Sequence, residues 1–126
     1  MLRFVAGPTR LTVVEGFTIR NGLLNTTGHN YGAGITITNC SPTIRANRVT
    51  GNNSDGTAWN YGGGFYITGS NANPLILHNE IDGNELRNGS WNYGAGIHVA
   101  SGARADIVGN HIHDNRNLTV SSTSTG

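Results

Sequence analysis

Apolar residues in this chain come in short alternating runs that return at a nearly fixed interval. Ile35-Thr36-Ile37, Phe65-Tyr66-Ile67 and Ile97-His98-Val99 each place an apolar residue at every second position, as a half-buried strand does. Ile44, Ile76 and Ile107 mark a second series, and Val49, Ile81 and Ile112 sit singly between polar neighbours in a third. No stretch sustains a period of about 3.6, so helix is not expected. The pattern predicts three very short strands per unit.

The intervals give the architecture. Asn-Tyr-Gly-(Ala/Gly)-Gly recurs at Asn30 to Gly34, Asn60 to Gly64 and Asn92 to Gly96, at spacings of 30 and 32 residues. A second element runs from Ile44 to Asn52, from Ile76 to Asn84 and from Ile107 to Asn115, with a degenerate first copy from Val14 to Gly22; these copies lie 30, 32 and 31 residues apart. Two different elements sharing one period is the mark of a solenoid. Strands this short are stable only when the same strand of the next coil pairs with them. The expected fold is therefore all-β, a right-handed parallel β-helix of about 3.5 to 4 coils of 30 to 32 residues. Asn47, Asn79 and Asn110 fall at the bend between the second and third strands. Asn tolerates left-handed backbone and bonds turn groups through its side chain, so these three should form a structural ladder. Phe17 holds the equivalent place in the first coil, where the ladder should end.

Composition narrows the field. At 126 residues the chain is one domain at most. It has 19 glycines, no lysine, eight arginines and seven acids, for a net charge of +1. No basic patch points to nucleic acid as a partner. The lone Cys40 cannot form an intrachain disulfide and reads as a small turn or core residue. No apolar run approaches the roughly 20 residues of a membrane span, and Met1 to Pro8 lacks the basic and apolar regions of a signal peptide.

Gly32-Ala33-Gly34-Ile35, Ser41-Pro42-Thr43-Ile44, the segment Asn47 to Asn52 and the opening from Val14 to Gly22 resemble the right-handed β-helix repeat proteins of the pectate-lyase-like superfamily, over residues 2 to 117. The resemblance implies a fold that hosts lyases, hydrolases, epimerases, adhesins and phage tailspikes, so it does not fix an activity. It implies an extracellular or cell-surface location, although no signal peptide is present. In the sugar-cleaving members it implies a substrate groove along the first strand of each coil.

The first-strand face is where such chemistry would lie. Its outward row is Thr36, Tyr66 and His98, followed by Thr38, Thr68 and Ala100 and preceded by Gly34, Gly64 and Gly96. These rows contain no carboxylate, arginine or lysine. Glycoside hydrolysis needs two carboxyl groups at a set separation, and the lyases need carboxylate-held calcium and a proton acceptor. The face thus leans away from an enzyme while leaving the question open, and no cofactor is expected. His98 could act as a base, but an outward histidine on a strand is more commonly just solvated. Glu80, Asp82 and Asp114 lie on or after the third strand, Glu15 and Asp106 near the second, and Asp55 and Glu85 in loops. Arg48 beside Glu80 and Arg45 beside Glu15 read as charge ladders. His111 and His113 share an outward face at a spacing that can chelate metal; with no third ligand evident, no metal site is expected.

The most informative pattern is aromatic. Tyr31, Trp59, Tyr61, Tyr66, Trp91 and Tyr93 make six of the nine aromatic residues, and all lie on the first strand or in the long loops entering it. His29, Trp59 and Trp91 share one register, and Tyr31, Tyr61 and Tyr93 another. Such ribs suit stacking on sugar rings; alternatively, they shield the core beneath the loops. The leading reading is a non-catalytic module that binds polysaccharide through Trp59, Trp91, Tyr61, Tyr93, Tyr31, Tyr66 and His98. The alternatives are a fragment or subunit of a carbohydrate-active lyase or hydrolase, and a purely structural solenoid segment of a surface protein. No capping segment is visible, so self-association through the coil ends, as a homodimer or larger assembly, is expected. Residues 1–117 are assigned to the β-helix and 118–126 to a strand remnant and flexible Ser/Thr tail.

Overall fold

A computed structural model describes residues 1–118; the expected tail, residues 119–126, lies outside them, and Leu118 closes the last strand. The first coil carries β1 (Leu2–Val5), β2 (Val13–Glu15), β3 (Thr18–Arg20), β4 (Leu23–Leu24) and β5 (Asn30–Tyr31). The second repeats them as β6 (Ile35–Thr38), β7 (Thr43–Arg45), β8 (Arg48–Thr50), β9 (Asn53–Ser54) and β10 (Trp59–Tyr61). The third has β11 (Phe65–Thr68), β12 (Leu75–Leu77), β13 (Glu80–Asp82), β14 (Glu85–Arg87) and β15 (Trp91–Tyr93). The fourth has β16 (Ile97–Ala100), β17 (Asp106–Val108), β18 (His111–His113) and β19 (Arg116–Leu118). Each strand pairs in parallel with its counterpart one coil away, giving five narrow sheets. The chain is thus an all-β parallel solenoid of about four turns, and no helix among the described residues is long and apolar enough to cross a membrane.

The three strands predicted per coil occupy three of these sheets. Two further ladders, β4-β9-β14-β19 and β5-β10-β15, lie where a long loop was expected, and Glu85, expected in a loop, begins β14. Their inward residues explain why they were missed. Leu24, Ser54, Leu86 and Asn117 share one ladder position, so no apolar period appears along the chain.

The core is one cluster of apolar side chains stacked in columns. Ile35, Ile37, Ile44, Val49, Phe65, Ile67, Ile76 and Ile81 are fully buried, and each lies over its counterpart in the neighbouring coil. Full burial stabilises each by about 1.5–3 kcal/mol. Cys40 joins this cluster, and burial pushes its thiol up from the ordinary value.

Between the sheets, buried asparagines close the corners. Asn47 Nδ2 donates to Asn79 Oδ1 at 3.2 Å, and Asn79 Nδ2 to Asn110 Oδ1 at 3.0 Å. At the first coil the Phe17 amide donates to Asn47 Oδ1 at 2.9 Å, and the ladder ends there as expected. The left-handed residue at this bend is not the asparagine but the one before it: Gly16, Ala46, His78 or Gly109, with φ of 78°, 51°, 52° and 61°. The asparagine's part is hydrogen bonding alone. A second ladder, Asn52-Asn84-Asn115, repeats the arrangement at the next bend, with side-chain bonds of 2.9 and 2.8 Å. A third links Asn30, Asn60 and Asn92, each step 2.9 Å.

The coils differ in length at one place only. The turn from the first strand to the second spans 6–12, 39–42, 69–74 and 101–105 in the four coils, whereas the two following bends hold two residues every time. This accounts for the spacings of 30 and 32.

Candidate functional site

The third asparagine ladder builds the site. In Trp59-Asn60-Tyr61 and Trp91-Asn92-Tyr93 the strand alternation turns the asparagine inward and the rings outward. Asn60 is fully buried. Its Nδ2 donates to the Gly56 carbonyl at 3.0 Å, the Arg87 carbonyl at 2.9 Å and Asn92 Oδ1 at 2.9 Å, so the segment bearing the rings is firmly tied. Directly after it, Gly32, Gly62 and Gly94 turn the chain into the first strand with φ of 69°, 65° and 64°. A Cβ at Gly62 would stand 2.2 Å from the Phe65 carbonyl oxygen, so the turn admits only glycine.

Tyr31, Tyr61 and Tyr93 form a column of nearly parallel rings. Successive centroids are 5.2 Å apart, and the planes differ by 6° and 10°. Tyr66 and His98, from the first-strand face, run alongside as a second parallel pair, 5.8 Å apart and 2° from coplanar orientation. Tyr66 lies 5.0 Å from Tyr31, and His98 lies 5.2 Å from Tyr61. The rib of His29, Trp59 and Trp91 is different. His29 meets Trp59 edge-on at 86°, and Trp59 and Trp91 are tilted by 60°. The tyrosines therefore supply the ordered plates, while the tryptophans form an irregular rim. All seven predicted residues are brought together on one side of the solenoid. Tyr31, Trp59 and Trp91 are 42%, 41% and 38% exposed, and Tyr61, Tyr66, Tyr93 and His98 are half-buried.

Burial, followed by the neighbouring phenols of Tyr31, Tyr93 and Tyr66, pushes the Tyr61 phenol up from its ordinary value. Burial also holds the His98 imidazole below its usual 6.5, which keeps it neutral at neutral pH.

One correction concerns charge. The row Thr36, Tyr66 and His98 begins a coil earlier, at Arg3, which pairs with Thr36. This first strand lacks the Gly-x-Gly lead of its repeats, so the sequence pattern alone does not place its outward residue in the row. A basic group does stand on this face, and it is exposed. Beside it opens a groove of about 380 Å³, lined by Arg3, His29, Tyr31, Thr38 and Tyr66 among others. Thr36 itself is buried and spends its hydroxyl on the Tyr31 and Gly32 carbonyls, at 3.1 and 3.3 Å.

Among the described residues the carboxylates lie on other faces. Arg45 pairs with Glu15 at 2.9 Å and Arg48 with Glu80 at 3.4 Å, as read from the repeat; Arg48 also pairs with Asp82 at 2.9 Å. A third donor, not visible in the local spacing, joins the two histidines of β18. Glu80, His111 and His113 each bring one ligand atom within 4.8 Å of the others. Glu80 is the residue in register with His111, so aligning the repeats column by column would have found it.

Comparison of the chain with curated proteins and with solved structures gives no match. A family model described as "Protein of unknown function (DUF1565)" matches residues 7–126. Four stacked coils, their asparagine ladders and the aromatic side they carry thus make up nearly all of the matched segment, and the chain belongs to the DUF1565 family.

Proposed function

We propose that this parallel β-helix module binds a polysaccharide along its aromatic side, with Tyr31, the exposed end of the tyrosine column, as the stacking surface. The observation that carries the reading is the column itself: three parallel rings at 5.2 Å spacing, open at Tyr31 onto the groove that holds Arg3 and Tyr66. Aromatic faces stack on the apolar faces of sugar rings, and a few hydroxyl and charged groups around them set orientation. Thr38 and Arg3 supply such groups here. Kinship with the pectate-lyase-like proteins belongs to this same reading. A glycan array with Trp59→Ala, Trp91→Ala and Tyr31→Ala controls tests it. Binding to a polymeric glycan that Tyr31→Ala abolishes and the tryptophan variants weaken is expected. Binding to no glycan, or binding indifferent to all three substitutions, removes the reading in favour of a structural segment.

A second reading, part of a carbohydrate-active lyase, gains support from Arg3, Tyr66 and His98 in one outward row. A neutral imidazole is a competent proton acceptor. Unsaturated-product absorbance on acidic polysaccharides, lost in His98→Ala, is its signature; no product sinks it.

Apolar residues exposed on the end coils among the described residues support self-association with a second copy. Val99, Ile107 and Ile112, at inward positions of the fourth coil, are 39%, 42% and 46% exposed, and Phe17 of the first coil is 62% exposed. Light scattering is expected to give at least a dimer, dispersed by Ile112→Lys. A monomer across the accessible concentration range ends this part of the proposal.

A further inference from the structure

We propose that Glu80, His111 and His113 form a surface site for a divalent transition-metal ion of the zinc class, with Asp114 orienting His113. The geometry comes from two neighbouring coils. His111 and His113 are two apart on β18, so both point outward, and their ring centroids have converged to 4.1 Å. Glu80 enters from β13, paired in register with His111. Glu80 Oε1 and His113 Nε2 already stand 3.3 Å apart. That is about the separation of two tetrahedral ligands on an ion with bonds of about 2.0–2.2 Å. The three donor atoms lie within 4.8 Å of one another, and His111, exposed on the strand, has room to rotate inward and close the set.

Asp114 provides the second feature of a built site. Its Oδ2 lies 2.9 Å from His113 Nδ1. With the Nδ1 hydrogen given to that carboxylate, the Nε2 lone pair faces the Glu80 oxygen. A carboxylate behind the imidazole is the usual way a metal-binding histidine is held in one tautomer and made more basic. In that tautomer two electron-rich atoms face each other at 3.3 Å, an arrangement that a bound cation completes.

The other charges near the site allow this. Arg48 approaches Glu80 through Oε2, at 3.4 Å, and leaves Oε1 on the histidine side. Arg48 is chiefly engaged by Asp82, through Nε at 3.1 Å and Nη2 at 2.9 Å. Three carboxylates, Glu80, Asp82 and Asp114, thus surround one guanidinium and two imidazoles, a balance that favours a dication. Two imidazoles select a zinc-like or copper-like ion over calcium or magnesium, which take oxygen donors. Water completes the coordination, because the site faces solvent.

The test is zinc titration of the tag-free 126-residue chain, stripped with a chelator, by calorimetry at pH 7.5. One ion per chain is expected. His113→Ala and Glu80→Gln should each weaken binding at least tenfold, and Asp114→Asn by about 10–100-fold. His111→Ala, on an exposed edge strand, serves as the variant least able to disturb the fold, and unchanged circular dichroism verifies this. A rise in melting temperature with zinc should be seen for the parent chain and lost in His113→Ala. No binding, or binding that His113→Ala and Glu80→Gln leave unchanged, overturns the site.

Discussion

Arg48 grips Asp82 of the next coil with two bonds, Nε to Oδ1 at 3.1 Å and Nη2 to Oδ2 at 2.9 Å, and the Thr50 hydroxyl adds a third at 3.0 Å. The Asp82 side chain is nearly buried, whereas that of Arg48 is 50% exposed. The guanidinium holds the carboxyl below its ordinary 3.8. The sign follows directly. A depressed carboxylate contributes stability that is fully present above the unfolded value and is lost as pH falls through the folded one. Stability should therefore decline below about pH 3.8, and Asp82→Asn should flatten that part of the acid limb. At pH 7, Asp82→Ala should cost about 1.5 kcal/mol, the scale of a charge-assisted bond discounted for the exposure of Arg48. Urea unfolding at a series of pH values measures both.

Asn84 sits midway in its ladder. Its Oδ1 accepts from the Asn52 amide and the Asn52 side chain, and its Nδ2 donates to the Val49 carbonyl and Asn115. Removing it orphans several buried groups at once. Asn84→Ala should cost about 3 kcal/mol or more, since each stranded group costs about 1–3 kcal/mol. Asn115→Ala, at the end of the ladder, should cost less. Chemical denaturation of the two variants decides the order.

Ile81 is fully buried between Val49 and Ile112. Ile81→Ala should destabilise by about 2–5 kcal/mol, whereas Ile112→Ala, at a position 46% exposed, should cost clearly less. Equal losses would mean that the fourth coil is covered in solution.

Ala46 carries a positive φ of 51° at a bend where two other coils have glycine. A left-handed conformation costs a non-glycine residue about 1–2 kcal/mol, against a smaller gain in unfolded-chain entropy for glycine. Ala46→Gly should raise stability by about 0.5–1 kcal/mol, seen as a higher denaturant midpoint at unchanged slope.

Within the tyrosine column Tyr61 stacks on both sides and Tyr31 on one. With each aromatic pair contributing about 0.5–1.5 kcal/mol, Tyr61→Ala should destabilise more than Tyr31→Ala. Tyr61→Phe should stay close to the parent. Thermal melts of the three variants test the column independently of any ligand.

The solenoid was legible because register repeats. Ile35, Phe65 and Ile97 occupy one column, and every copy states the same rule. The two ladders through Asn53–Ser54 and Trp59–Tyr61 escaped because their inward residues are Leu, Ser and Asn, which carry no common apolar signal. The aromatic side was readable as a set of residues but not as a geometry. Register separates a tryptophan rib from a tyrosine rib, but only the packing shows that one is an irregular rim and the other a parallel column. Arg3 was hidden because its strand lacks the Gly-x-Gly lead of the repeats. Glu80 was legible as the partner of Arg48, but its place beside His111 lies across the stack on the other side.

All variation in coil length falls at the turn that spans 39–42 in one coil and 69–74 in the next. That corner works as a vernier: it takes up every added residue and returns the chain to phase before the next strand. Peptides could be grafted there, at the exposed tip between Ser70 and Asn71 and ahead of the buried Ala72, and displayed at a chosen height on the rod while the aromatic side kept its spacing.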